Sequence, residues 1–424
     1  MRATRWALVC GLVAVGAVAC NSVLGIQDVN VVGSGGASGG AGASGAGTSG
    51  GAGASGASSA GAGGVSGAAG ASGSGGAGGA MTLGTTCLPM GSGGNGPLLG
   101  DAKSPGGFAW ALGTFETVAG KGTVSIGRVA VDSSGAPFIA GTVQGTADFG
   151  RGCVVQVPSG QIDIFVAKLG VDGNVAWVVT AQGSTSATVA DLLVADDAAW
   201  LVGSFSGTVS LGGTVIGPST TERALLMRVV GPGTAWTIRP AAGSTSSGLT
   251  SLARAADGGV YATGWFDDSV SWSIGSGQPP INVAAPSPGH ASQVLWRFDS
   301  TGRAIWGASF GTFTAGFKPR AFVAADPTNP SSFAVAGTIT LGDQLSLAGA
   351  KIMGTSIGTT GFAAQLTDGA TGPTPVLSHT YPGMTGNTSL SALAFDHSGA
   401  LVLGGALTGK AQLGTTLVTA TQNQ

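Results

Sequence analysis

The chain has 424 residues, of which 80 are Gly and only 8% are charged, with a formal net charge of −2; a charged share of about 25% is usual. Residues 81–424 carry fifteen Lys and Arg against eighteen Asp and Glu, so no basic stripe follows a phosphate backbone and nucleic acid is excluded as an expected partner. The length allows one large or two modest domains with a substantial core.

Arg2 and Arg5 open the chain, an apolar stretch runs from Trp6 to Val18, and Ala17-Val18-Ala19-Cys20 closes it. This order of charged, apolar and small residues is that of an export signal, and the run is shorter than the roughly 20 residues a membrane span needs. The segment resembles a bacterial lipoprotein signal. That resemblance implies removal of residues 1–19 and lipidation of Cys20, with the membrane as a partner through the lipid. An ordinary cleaved signal and an uncleaved anchor are the other two readings.

Residues 20–32 form the expected lipidated N-terminus. From Gly33 to Ala80 only Thr48 and Val65 depart from Gly, Ala and Ser. Such a tract has little side-chain surface to bury and predicts a disordered tether, with a root-mean-square reach of roughly 35–40 Å. Its Gly-x-Gly-x-x-Gly matches have neither a strand before nor a helix after them, so they hold no phosphate. A lead-in segment follows over 81–106. Cys87 and Cys153 remain as an even pair in an exported chain, which predicts a disulfide, with two unpaired thiols as the alternative.

Residues 107–424 repeat. Val129-Ala130-Val131-Asp132-Ser133-Ser134-Gly135 leads into Phe138-Ile139-Ala140-Gly141, and relatives of this unit end at Gly203, Gly264, Gly337 and Gly405, spaced 62, 61, 73 and 68 residues apart. A second unit alternates with it. Phe165-Val166-Ala167-Lys168-Leu169 and Val175-Ala176-Trp177 flank a turn with Asp172-Gly173, and Arg228, Arg297 and Gln365 take the Lys168 position in later copies. Period-two alternation between Asp-Gly turns predicts successive hairpins, and no window sustains a helical period. Each repeat supplies about four strands: those around the Asp turn, one in the Gly-Thr segment such as Thr142 to Phe149, and the Lys/Arg strand with its Trp partner. The fold class is all-β, and the expected architecture is a β-propeller of about five four-stranded blades. Tandem sandwiches and a β-solenoid are the alternatives.

These motifs resemble the bacterial beta-propeller (SBBP) repeat family over roughly residues 107–424. The resemblance implies an exported or surface protein and an architecture, without an activity. The lipoprotein-type signal followed by a Gly/Ala/Ser tether is also similar to a myxobacterial surface lipoprotein. At the two ends, Phe108-Ala109-Trp110-Ala111-Leu112-Gly113 is a Trp strand without its Lys strand, and the chain stops at Gln424 before a Lys strand is due. Either the ring closes through Trp110, or the last blade is incomplete and the chain truncated.

Catalytic chemistry is sparse. Three His, at 290, 379 and 397, and two Glu, at 116 and 222, serve the whole body, with no metal-ligand spacing, and no cofactor is expected. Asp396-His397-Ser398 matches the Asp132 turn, so turn chemistry explains it. Gly404 to Lys410 lacks the Ser or Thr of a phosphate loop. The recurring Asp132, Asp257, Asp299 and Asp396 supply one carboxylate per turn, too few for calcium. One cluster remains as a ligand-binding candidate: Trp265, Asp267, Asp268 and Trp272, where flat aromatics beside carboxylates suit a sugar. The alternative is core packing for the Trp residues and a solvated turn for the Asp pair. The expected function is a lipid-anchored cell-envelope module that binds a protein or glycan without catalysis. The alternative is an enzyme on extracellular polymers acting through Asp267 and Asp268.

Overall fold

The computed structural model describes residues 116–149 and 153–420, short loop segments excepted. All regular elements among them are β-strands. The strands β1 (Glu116–Val131), β2 (Pro137–Asp148), β3 (Val154–Gln156), β4 (Ile162–Leu169) and β5 (Val175–Ala195) come first. The order β1-β2-β4-β5 is an antiparallel meander, with β3 pairing β2 alone. We call it layer I. The second half of β5 then opens layer II, followed by β6 (Ala198–Leu211), β7 (Thr214–Gly231) and β8 (Thr234–Ile238). Because β5 serves both layers, they share one eight-stranded sheet.

After the short β9 (Pro240–Ala241), layer III comprises β10 (Ser247–Arg254) and β11 (Val260–Asp267), a hairpin of β12 (Ser269–Trp272) and β13 (Ile281–Ala284), then β14 (Ala291–Phe298) and β15 (Ala304–Phe313). Layer IV has the same plan. It runs through β16 (Ala321–Ala325), β17 (Ser332–Ile339), the hairpin β18 (Gln344–Leu347) with β19 (Ala350–Met353), β20 (Thr360–Thr367) and β21 (Thr374–Pro382). Layer V shows β22 (Thr388–Phe395) and β23 (Leu401–Leu407), with a hairpin of β24 (Lys410–Leu413) and β25 (Thr416–Thr419). The Gly-Thr segment therefore differs from expectation. It supplies the end of the second strand and a hairpin between second and third strands, and the Trp strand is the fourth.

Period-two alternation gives every layer two apolar faces, and consecutive layers pack front to back. Phe138 and Val166 of layer I meet Leu192 and Leu201 of layer II. Trp200 and Val202 on the other face of layer II meet Leu252 and Ala262 of layer III. Tyr261 and Leu295 then meet Val323 and Val335, and Ala334 and Ala336 meet Leu401 and Leu403. Each intervening hairpin seals the back face of its own layer, through Val209 and Ile216, Val270 and Trp272, or Leu345 and Leu347.

The glycine that ends each repeat motif has a steric cause. The first strand carries a β-bulge opposite it in layers I, II, III and V, and a bulge draws the two backbones together. A Cβ on Gly141, Gly203, Gly264 or Gly405 would run into the carbonyl of Ser125, Thr188, Gly248 or Ser389 respectively. The Asp turns are equally regular. Asp132 Oδ1 accepts bonds from the Ser134 and Ala136 amides at 2.9 Å each and the Ser134 hydroxyl at 2.6 Å. Asp299 and Asp396 repeat the pattern with Thr301 and Ser398.

The first strand of layers III, IV and V lies at a sheet edge, where unpaired amides are a liability. The preceding layer supplies an acceptor to one amide of each. Asp191 Oδ2 accepts from the Leu252 amide at 2.7 Å, Ser251 Oγ from Val323 at 3.3 Å and Thr338 Oγ1 from Leu390 at 3.1 Å. Among the described residues the layers do not close into a ring, and the back of layer I is closed by its own cluster of Ile139, Phe165, Ala167 and Val178, with Val129 and Val131 of β1 left 54% and 59% exposed.

Candidate functional site

Charged side chains gather at the two ends of the strands. At the Asp-turn end the third-strand cations lie against second-strand aromatics. Lys168 Nζ stands 5.0 Å from the Phe138 ring centre, Arg228 5.5 Å from Trp200 and Arg297 4.9 Å from Tyr261. In layer IV both partners change together: Gln365 replaces the cation and its register partner is Ala334. Cation–π contact explains that paired change.

Most charges at this end are already engaged. Lys168 pairs with Asp132 at 2.9 Å, and the Ser134 hydroxyl and Lys168 hold the Asp132 carboxyl far below the usual range. Arg297 is buried and pairs with Asp257 at 2.5 Å and Asp368 at 3.0 Å. Asp368 also accepts from the Tyr261 hydroxyl at 2.8 Å and the Trp306 indole at 2.9 Å, tying layer III to layer IV. A shallow cavity of about 280 Å³ lies among Asp132, Ser133, Val194, Ala195, Asp196 and Arg254. Its Asp196–Arg254 pair, at 2.6 Å, is solvent-exposed and of little energetic weight.

The opposite end holds the candidate site. Asp267 closes β11 and Asp268 turns the chain with a φ of 58°, a left-handed conformation that Asp tolerates better than most residues. Asp268 Oδ1 accepts from the Gly289 amide at 2.7 Å. Burial, then the neighbouring Asp268 charge, pushes the Asp267 carboxyl up, and Lys318 opposes this. Lys318 rises just before β16, pairs with Glu222 of layer II and stands 4.9 Å from the Trp265 ring centre. Glu222 accepts from the Ser204 hydroxyl at 2.5 Å, which shares a second bond of 2.6 Å with Thr188. Layers II, III and IV thus each contribute a charged group to one rim.

The predicted aromatic platform is corrected here. Trp272 is fully buried in the layer II–III core, 5.7 Å from Trp296 and 5.2 Å from Phe298. Trp265 is buried too. Neither indole presents an open face to a sugar: the hairpin folds Trp272 back over its own layer, and Lys318 stands over the Trp265 ring. Of the four residues, the structure leaves Asp267 and Asp268 at the rim and adds Glu222 and Lys318. The lone Glu among the body's interior strands was the one available signal for Glu222; Lys318 had none. Cys153 is buried beside Phe149 and Phe165, whereas Cys20 and Cys87 lie outside the described residues. Among the described residues no three His, Cys, Asp or Glu side chains are placed to hold a metal ion.

No family model matches the chain. No curated protein matches it either. Among solved structures, a member of the DUF4221 family from Bacteroides vulgatus is similar at 7% identity and a TM-score of 0.17, over 51% of this chain and 92% of that one. A likeness at that level carries no argument about fold or activity.

Proposed function

We propose that this protein is a lipid-anchored module of the cell envelope that binds a protein or glycan without catalysis, built from propeller-type blades of the SBBP kind. The observation that carries the binding role is the rim where Glu222, Asp267 and Lys318 converge from three successive layers. Interleaved carboxylates and an ammonium, beside exposed loop backbone, suit hydroxyl- or amide-rich ligands. The four-stranded layers and their front-to-back packing support the propeller-type reading. The Arg2 to Cys20 segment supports the anchor and an exported body.

Glycan arrays and pull-downs from envelope extracts, run with the wild type and a Glu222→Gln/Lys318→Ala variant, test the site. Binding by the wild type that falls at least tenfold in the variant is expected. Unchanged binding removes this rim from the function, and turnover of a polymer that Asp267→Asn abolishes makes the protein an enzyme instead. The anchor has its own test: Cys20→Ala should move the protein from the membrane to the soluble fraction.

A further inference from the structure

Because the layers repeat, a residue type kept in all of them serves the fold, and one that departs in a single layer has another cause. The residue after the motif Gly is Thr142, Ser204, Thr338 and Ala406 in layers I, II, IV and V, but Trp265 in layer III. Two positions further on stand Gln144, Ser206, Thr340 and Thr408, but Asp267 in layer III. The next position is left-handed. Gly145, Gly207 and Gly409 hold it with φ of 66°, 82° and 72°, and layer III sets Asp268 there at 58°, at a conformational cost that Gly escapes. In the third strands, aligned by their pairing with the motif Gly, Glu222 stands where the other layers have Ile162, Ala291 and Thr359.

These departures meet at one rim. Trp265 fits because Gly248 has no Cβ, which would run into the indole. The Lys318 ammonium stands 4.9 Å from the centre of that ring and pairs with Glu222. An aromatic face with a carboxylate beside it is a seat for a cation, and here the chain fills it with its own. The Lys318 side chain is 55% exposed, so little holds it in place. Charge is also left over. Glu222, Asp267 and Asp268 bring three carboxylates, and Lys318 is the one cation paired with any of them among the described residues. Asp267 Oδ1 is buried without a hydrogen-bond partner among those residues.

We propose that the rim recognises a Lys or Arg side chain on a basic segment of a protein partner, which takes the seat between Trp265 and Glu222 and turns Lys318 out to solvent. This rests on the binding role given to the rim above and adds the chemistry of its ligand. The seat selects a cation on a slender stem, since Trp265 is 5% exposed and Lys318 reaches Glu222 beside it, a space closed to an amine fixed on a sugar ring. Asp267 and Asp268 remain for a second cation of the same segment. Lys318 is then a built-in competitor, and a partner must outbid it with further contacts before it binds.

The probes are fluorescent Gly/Ser peptides with a central Lys-Lys, Arg-Arg or doubly acetylated Lys-Lys pair, titrated by anisotropy against the full chain carrying Cys20→Ser. Adding Lys318→Ala should tighten binding of the Lys-Lys and Arg-Arg peptides at least about tenfold, the scale of the cation–π contact and ion pair that no longer compete. The acetylated peptide should gain nothing. Glu222→Gln keeps an acceptor for the Ser204 hydroxyl and should abolish the gain when combined with Lys318→Ala. Basic peptides that bind the parent and Lys318→Ala alike, or an acetylated peptide that binds as well as the basic ones, overturn the proposal. If glycan binding by the wild type nonetheless falls in Glu222→Gln/Lys318→Ala, the rim keeps its binding role and this proposal alone fails. If no ligand of either kind responds to the variants, both fail.

Discussion

Asp163 is a carboxylate the fold covers completely. One oxygen accepts from the Gly183 amide at 3.0 Å and the other has no hydrogen-bond partner among the described residues. Burial pushes its pKa up to about 6 from an ordinary 3.8, against the pull of that amide. Between those two pH values the folded chain keeps a proton that the unfolded chain has lost. Stability therefore falls as pH rises from about 4 to about 6, by at most about 3 kcal/mol at roughly 1.4 kcal/mol per pH unit, and stays lower above. Asp163→Asn keeps an acceptor for Gly183 and removes the charge. Denaturant midpoints should then rise at pH 7 and match the wild type near pH 4, and equal midpoints at pH 7 would show that the carboxylate is not desolvated. Single residues differ in how openly the sequence announces them. Gly203 could be picked out by its recurrence, though the carbonyl of Thr188 that excludes its Cβ could not. Asp163 opens the run Ile164 to Leu169 in the sequence, but its burial was not legible there, since its layer neighbours at the same register position are of other types.

At the scale of strands and layers, the Asp368 cluster is a polar tie of three side-chain bonds between two consecutive units. Its carboxylate takes bonds from Arg297, Tyr261 and Trp306 of the preceding layer, and Arg297 is too deeply buried to be rehydrated in place. Asp368→Ala should cost about 3 kcal/mol, as breaking one side of a buried pair does, read as a shift of the urea midpoint. A loss under about 0.5 kcal/mol, the scale of exposed pairs, would count against the tie. Strand alternation and Asp turns were legible because both are local, depending on period two and on a side chain bonding its own backbone two and four residues on. The hairpins between second and third strands were not, since Ser269–Trp272 reads as one more strand until its partner Ile281–Ala284 pairs with it. That misplacement also hid Trp272. An aromatic next to two carboxylates looks like a sugar platform in one dimension and becomes core once the hairpin folds back. Lys318 reaches Asp267 and Glu222 only through stacking of three layers, a long-range fact that no local pattern carries.

For the whole molecule, one covalent question is open to a direct measurement. Cys153 lies in the apolar cluster on the back of layer I, with Phe149, Val155 and Phe165. The expected bridge to Cys87 would fasten the lead-in segment to this cluster, and a loop of that length stabilises by about 4 kcal/mol through the unfolded state. Counting thiols in the denatured, unreduced mature protein should find none from this pair, while two free thiols would refute the bridge.

The side chains that cap a neighbour's edge, Asp191, Ser251 and Thr338, sit in the unit before the amide they serve. Layers II, III and IV thus each hand forward both a packing surface and an acceptor to the unit behind them. A gene encoding such units can gain or lose one by unequal recombination without rewriting the flanking copies. The lineage can then vary the number of loops it displays in whole steps, leaving each loop free to diverge.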